Sequence, residues 1–197
     1  MGSGGPTATS ELSIRVEGFL APARCRELIA EIDAARQAPA EVWLDDAFGV
    51  HPGSRMGRVA QLGRSSEAGV QQALWEVMPR LEQRFGCEIS HLSGIAALTY
   101  RDGDHFAPHR DSGTDDPPDV SRRRVSLVVA LNDGAHDFAG GELQLFAGPP
   151  AAPGPPRERV CSRPGMLVAF RSATTHRVTP VFTGCRYALA SWALAPG

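Results

Sequence analysis

Tyr100-Arg101-Asp102-Gly103-Asp104-His105-Phe106-Ala107-Pro108-His109-Arg110-Asp111 is the stretch on which the reading of the whole chain turns. An apolar approach ends at Tyr100, the chain turns at Gly103, and a His-x-Asp pair closes the run. His176 follows downstream, and Arg186 stands ten residues beyond it. Two imidazoles and one carboxylate can hold a divalent metal on one face and leave the opposite positions open. On ferrous iron such open positions admit O₂ and a second ligand together, so the set points to iron-dependent oxygen chemistry. The pair alone is a weak signal. With six His and eleven Asp in 197 residues, a His-x-Asp spacing arises by chance in roughly one such chain in three. The competing reading is a surface pair on a loop and, in His176, a satisfied core histidine.

The surroundings decide between the two. Ile95 to Tyr100 reads as an apolar strand leading into the ligand pair. Arg122 to Asp133 is a β-branched, apolar run that ends in an Asn132-Asp133-Gly134 turn, the pattern of a buried strand. Gly140-Gly141 opens a strand of alternating apolarity that reaches Phe146. Pro164 to Phe170, His176 to Val181 and Arg186 to Trp192 read as three more short strands separated by turns. Every candidate ligand then falls at a strand end.

From about Ser93 to Trp192 the chain resembles the catalytic core of the prolyl 4-hydroxylase-like branch of the 2-oxoglutarate and Fe(II)-dependent dioxygenases. The motifs that carry the resemblance occur together and in order. They are Tyr-x-x-Gly-x-x-Phe-x-x-His-x-Asp from Tyr100 to Asp111, Leu131-Asn132 with Gly140-Gly141-Glu142, Pro164-Gly165 before a strand, and His176 with a cation ten residues on. The amino-terminal part is also similar to that family, with an apolar strand from Ile14 to Leu20 and a helix from Pro22 to Arg36. The resemblance implies a mainly β (α+β) fold. Its core is a double-stranded β-helix, a jelly-roll of two sheets with iron at its mouth, flanked by amino-terminal helices.

The same resemblance implies roles. His109, Asp111 and His176 would bind Fe(II), and Arg186 would receive the distal carboxylate of 2-oxoglutarate through two parallel hydrogen bonds. Tyr100 and Ser126 match positions that give the family further hydroxyl donors, although the family more often has threonine where Ser126 stands. O₂ would be the oxidant, with ascorbate as a reductant. Oxidative decarboxylation of 2-oxoglutarate to succinate and CO₂ would accompany hydroxylation of an unactivated C–H. The substrate class is an amino acid, a peptidyl residue with proline first, or a natural-product intermediate. Asp111 occupies the place that halogenating relatives leave to Gly or Ala, so hydroxylation is expected. Ala188 departs from the serine that some arginine-using relatives carry two residues after the arginine. Trp192 matches a position near the substrate in prolyl hydroxylases, or else packs in the core, and Phe106 either borders the pocket or packs. Two other classes compete. One is a non-enzymatic jelly-roll that binds metal or 2-oxoglutarate as a sensor or interaction module. The other, a cupin-type metal enzyme, lacks the further His and Glu ligands of that motif.

Composition agrees with this reading. A length of 197 residues accommodates one sizeable core, so residues 1–10 are expected to be a disordered leader and 11–197 a single catalytic domain. No apolar run approaches the length that crosses a membrane and no secretory signal is visible. Cys25, Cys87, Cys161 and Cys185 are scattered without metal-site or disulfide-scaffold spacing, so reduced thiols and a cytoplasmic location are expected. All twenty basic residues are arginine, which removes any lysine nucleophile and leaves only arginine to receive a co-substrate carboxylate. A net charge of −2 gives no electrostatic basis for general nucleic-acid binding. The expected partner is a small-molecule or peptide substrate, and the sequence leaves the oligomeric state open.

The amino-terminal half carries two helical patterns. Cys25, Leu28, Ile29 and Ile32 follow one behind Pro22. Val70, Leu74, Val77 and Leu81 follow another after Ser66 as N-cap, with Pro79 as a kink and Gly86 as the stop. Both faces are expected to pack outside the larger sheet. Trp43 to Leu62 reads as irregular strands or loops near the site mouth, where Arg55 and Arg58 are surface residues by default and substrate contacts otherwise. Arg122 to Arg124 read as a solvated strand start beside Asp115, Asp116 and Asp119. Residues 112–121 hold too little apolar content to pack and are expected to form a mobile loop or lid. The proline-rich segment 148–156 is expected to be a hairpin tip.

Overall fold

Along the Arg123–Ala130 strand, Val125, Leu127 and Val129 pack on one side against the helices, while Val128 packs on the other side against the second sheet. Successive side chains of a strand point to opposite faces, so a strand covered on both must be apolar on both. That is why this run is nearly continuous in hydrophobicity. The Leu167–Arg171 strand repeats the arrangement, with Leu167 and Ala169 toward the helices and Val168 and Phe170 toward the opposite sheet.

The structure is a computed structural model that describes residues 7–9, 11–44, 47–113 and 116–197. Its larger sheet is antiparallel, in the order Thr7–Thr9, Ser13–Val16, Leu167–Arg171, Arg123–Ala130, Arg186–Leu194, Ala96–Tyr100, Arg58–Ala60 and Ala38–Pro39, with His91–Leu92 beside the far end of Arg186–Leu194. The smaller sheet runs Glu158–Val160, Leu143–Phe146, Thr175–Val178, His105–His109 and Arg55–Met56, also antiparallel. These two sheets are the jelly-roll that the resemblance implies. Two two-stranded sheets stand apart from them, Val42–Leu44 with Ala47–Gly49 and Phe138–Gly140 with Val181–Gly184.

Both helices lie on the outer side of the larger sheet, as their spacing predicts. The first spans Pro22–Ala34, ending two residues before Arg36, and buries Cys25, Leu28 and Ile32. The second spans Arg64–Phe85 and buries Val70, Leu74, Met78 and Leu81. Full burial of one such side chain contributes about 1.5–3 kcal/mol. Gly86 ends the second helix in the left-handed conformation, φ 58°, and its N–H bonds back to Glu82 O. The expected cap at Ser66 is corrected: the helix starts earlier, with Gly63 at the N-cap. Glu31 of the first helix supplies the capping carboxylate, accepting from Gly63 N and from Ser66 Oγ, the latter at 2.6 Å. A carboxylate from a neighbouring helix thus meets the N-cap amide, which in a capping box is met by a side chain at the third helical position.

Three further expectations meet the structure differently. Of the leader, Thr7–Thr9 pairs with Ser13–Val16 instead of lying free of the fold, while residues 1–6 and 10 are outside the described residues. In the segment 112–121, Ser112 and Val120 are buried and Pro118–Ser121 forms a helical turn, so part of it packs despite its polar composition; residues 114 and 115 are outside the described residues. Residues 148–156 do connect two paired strands, Leu143–Phe146 and Glu158–Val160. No helix among the described residues is long and apolar enough to cross a membrane.

Candidate metal centre and its cavity

His109 and His176 are direct register partners on adjacent antiparallel strands. The register slips between the pairs Phe106↔Val178 and His109↔His176, so one extra residue lies on the His105–His109 strand. Pro108 falls in that slip, where a residue without N–H removes one ladder bond. A one-residue slip moves the following side chains to the opposite face. It therefore brings His109 onto the side of Phe106, and the two rings stack with centroids 3.4 Å apart. The three-residue spacing in Phe-x-x-His is the sequence trace of this bulge.

Each imidazole is held by the carbonyl two residues before it, His109 Nδ1 at 2.9 Å from Ala107 O and His176 Nδ1 at 2.9 Å from Thr174 O. A carbonyl only accepts, so Nδ1 carries the proton and Nε2 presents its lone pair. The two Nε2 atoms lie 3.5 and 3.4 Å from Asp111 Oδ1 and Oδ2. Ligand atoms about 2.1 Å from one ion and at right angles would sit about 3 Å apart, so the three groups can share a metal with small adjustments. Phe170 presents its edge to His176 at a centroid distance of 4.7 Å and restrains that ring.

Asp111 lies outside any strand and is fixed differently. Its N–H donates to Ser172 O at 2.9 Å, its carbonyl accepts from Arg123 Nη1 at 3.3 Å, and its Oδ2 accepts from Ser126 Oγ at 2.6 Å. Burial opposes its charge, but the adjacent His176 and His109 and the Ser126 hydrogen bond outweigh that and hold the carboxyl well below the usual carboxylate range. Burial, reinforced by nearby His109, pushes His176 down to about 4 despite Asp111, so it is neutral at pH 7. An ionised carboxylate and a neutral imidazole are the forms that bind a divalent ion.

The triad opens into a cavity of about 410 Å³, walled mainly by apolar residues such as Leu98, Val128 and Val178. Tyr100, Ser126 and Arg186 line it too, so all six residues singled out from the sequence share this cavity. Arg186 pairs in register with Tyr100 and is 3% exposed. Its Nε has no hydrogen-bond partner, and no carboxylate pairs with it among the described residues. Burial lowers its pKa from the ordinary value, yet a guanidinium remains cationic. An unpaired buried cation in an apolar wall is costly unless an anion meets it. Arg124 is exposed and donates to Ser121 O, and Arg177 donates from Nε to Gln144 Oε1 in a separate outer cavity of about 590 Å³. That larger cavity contains none of the triad.

Ser126 lines the cavity, and its hydroxyl donates to Asp111 Oδ2 at 2.6 Å and lies 3.1 Å from Ser172 Oγ. Arg55 is also not a plain surface residue: it lines the cavity, covers the Phe106 ring at 4.6 Å and donates to Glu41 O at 3.0 Å. Arg58 is exposed and outside the lining. Within the basic run, Arg123 departs from the expected solvated strand start: it is partly buried, lies 4.0 Å from the Trp192 ring centroid, and binds the Asp111 carbonyl. Trp192 and Phe106 both border the cavity. Ser172 went unnoticed in the sequence, where nothing distinguishes it within Ala169 to Thr175.

The sequence model of the 2OG-Fe(II) oxygenase superfamily matches residues 95–194, the segment that holds all six residues. The fold is similar to that of a Pseudomonas putida prolyl-4-hydroxylase, at 25% identity and TM-score 0.72, covering 94% of this chain and 93% of that one. It is also similar to a Trichoplax adhaerens prolyl hydroxylase in complex with a hypoxia inducible factor oxygen degradation domain peptide fragment, at 19% identity and TM-score 0.70, covering 94% and 84%. A viral collagen prolyl hydroxylase from Paramecium Bursaria Chlorella virus-1 is similar in fold at 16% identity and TM-score 0.62, covering 95% and 98%. No curated protein sequence matches.

Proposed function

This chain belongs to the 2OG-Fe(II) oxygenase superfamily, and within that family we propose that it hydroxylates an unactivated C–H of an amino acid or peptidyl residue, with peptidyl proline the first candidate and a natural-product intermediate the next. It is a 2-oxoglutarate-dependent dioxygenase of the prolyl 4-hydroxylase-like type, using Fe(II), 2-oxoglutarate and O₂. When bound, these supply the oxidising power, with succinate and CO₂ released. The proposed ligands are Nε2 of His109 and of His176 with the carboxylate of Asp111. Arg186 receives the distal carboxylate of 2-oxoglutarate, and Tyr100, its register partner, completes that end of the cavity.

The single observation that carries the reading is an unpaired, buried Arg186 in the same apolar cavity as the triad. It accounts for a cation that the fold leaves without a counter-charge. The apolar wall excludes water from the reacting centre, and Phe106 and Phe170 keep the imidazoles in place. A peptide substrate is favoured by the prolyl hydroxylases similar in fold, one of which is in complex with a peptide. Exposed Phe48 on the cavity rim, with Arg55 and Trp192, offers a peptide apolar and donor contacts. We read residues 11–197 as one catalytic domain, and from the four unpaired cysteines we assign it to the cytoplasm.

Succinate formation from 2-oxoglutarate with and without Fe(II) tests the activity. Turnover that requires Fe(II) is expected, and none under any condition would favour a non-enzymatic binding module. Proline-containing peptides and free amino acids, screened for a mass gain of one oxygen, then separate the substrate classes. A gain on free amino acids alone would replace the peptide reading.

A further inference from the structure

The three candidate ligands are not held alike. His109 and His176 stand opposite each other on paired strands, and each ring is fixed by its own chain two residues back. Asp111 has no strand pairing, so its carboxylate can be aimed only by side chains that reach it from elsewhere. One buried serine does so, and a second stands behind it. Ser126 Oγ donates to Asp111 Oδ2 at 2.6 Å, and Ser172 Oγ lies 3.1 Å from Ser126 Oγ. Ser126 and Ser172 are 1% and 0% exposed. Ser126 lies on Arg123–Ala130, and Ser172 directly follows the adjacent strand Leu167–Arg171, whose register sets Ser126 opposite Phe170. Ser172 holds both ends of the arrangement, since its carbonyl accepts the Asp111 N–H. Ser126 has one proton and two acceptors in reach, the Asp111 carboxylate at 2.6 Å and Ser172 Oγ at 3.1 Å, and the shorter, charge-assisted bond to Asp111 takes it.

We infer that Ser172, Ser126 and Asp111 form a hydrogen-bond relay that orients the carboxylate ligand, and that Ser126 is a positioning residue for the metal, with no contact to the co-substrate. The bond from Ser126 fixes the rotation of the carboxylate, whose Oδ1 and Oδ2 lie 3.5 and 3.4 Å from Nε2 of His109 and of His176. Partners of this kind around a metal site typically govern 10–100-fold in metal affinity. The inference rests on the reading of Asp111 as a ligand given above.

The test measures metal and co-substrate separately on the full chain. Mn(II) alone is titrated into metal-free wild type, Ser126→Ala, Ser126→Thr and His176→Ala, with free Mn(II) followed by its EPR signal. 2-Oxoglutarate is then titrated calorimetrically into the Mn(II)-saturated proteins without O₂. Ser126→Ala is expected to weaken Mn(II) binding by roughly 10–100-fold and to shift 2-oxoglutarate affinity far less. Ser126→Thr keeps the hydroxyl at a residue that borders the cavity, and is expected to recover near wild-type Mn(II) affinity. Unchanged Mn(II) affinity in Ser126→Ala overturns the relay, as does a loss confined to 2-oxoglutarate, which would return the hydroxyl to the co-substrate. Wild-type Mn(II) affinity in His176→Ala would show that the parent reading of the site fails, and this one with it. Melting of the metal-free variants checks folding. If Ser126→Ala loses its transition, Ser172→Ala carries the test: a smaller loss of Mn(II) affinity is expected, and unchanged affinity overturns the relay.

Discussion

The inner end of the cavity and its mouth are built from different material. Arg186 and Tyr100 sit on long central strands of the larger sheet, in register with each other and almost without exposure. At the mouth, Arg55 stands on a two-residue strand and Phe48 on a hairpin apart from both main sheets, and Phe48 is 56% exposed. The inner end is set by the topology of the whole jelly-roll, where moving one residue would shift a full strand. The mouth rests on short pieces that can change without disturbing the core. A fold divided in this way can keep one co-substrate and vary what it hydroxylates.

Substitutions can break that division or sharpen it. The largest effect is expected between the two ends: His176→Ala removes a ligand that both depend on, so metal binding and turnover fall to background, read by Fe(II) binding and succinate formation. Full activity in that variant would undo the site assignment. Next, Arg123→Ala removes a partly buried cation from Trp192 and a charge-assisted bond to the Asp111 carbonyl. A hydrogen bond of that kind contributes about 1.5–3 kcal/mol, so kcat/KM for the hydroxylated substrate is expected to fall by roughly 10–100-fold at about 1.4 kcal/mol per decade. A smaller change is expected from Arg55→Ala, which loses the stack over Phe106, the bond to Glu41 O and a long 3.5 Å bond to Tyr100 Oη, a direct link from the mouth to the inner end. A cation over an aromatic ring contributes about 0.5–2 kcal/mol, so a rise in substrate KM of roughly 2- to 30-fold is expected with 2-oxoglutarate affinity retained. Loss of 2-oxoglutarate affinity instead would join the mouth to the inner end. Arg58→Ala, exposed and outside the lining, is the control and should change neither.

The same division governs what the sequence revealed. The central strands were legible because both faces are buried, and two-sided burial leaves an unbroken apolar run such as Leu127 to Ala130. The sequence singled out the triad and Arg186 through their spacing, and the structure brings all four to one cavity, whereas the bulge at Pro108 leaves no periodic trace. The mouth was not, because strands of two or three residues, such as Arg55–Met56, are too short to show a period. Nor could local rules find contacts made by distant register. Ser66 has the look of an N-cap, yet Glu31, 32 residues away from the capped Gly63, performs that task. Ser126 has the position of a co-substrate donor, yet the strand pairing sets its proton on Asp111 and brings in Ser172, 46 residues on.

The central claim is that the unpaired guanidinium of Arg186 awaits the distal carboxylate of 2-oxoglutarate while the triad holds iron. The most direct measurement is an anaerobic titration of 2-oxoglutarate into the Fe(II)-loaded wild type and Arg186→Ala, following the charge-transfer absorption of the chelate. Removing one partner of a buried ion pair costs about 3–5 kcal/mol. The variant is therefore expected to bind 2-oxoglutarate weaker by roughly two orders of magnitude or more, with Fe(II) affinity kept because Arg186 is not a ligand. Equal 2-oxoglutarate affinity in the two proteins would contradict the account and require another group to hold the co-substrate.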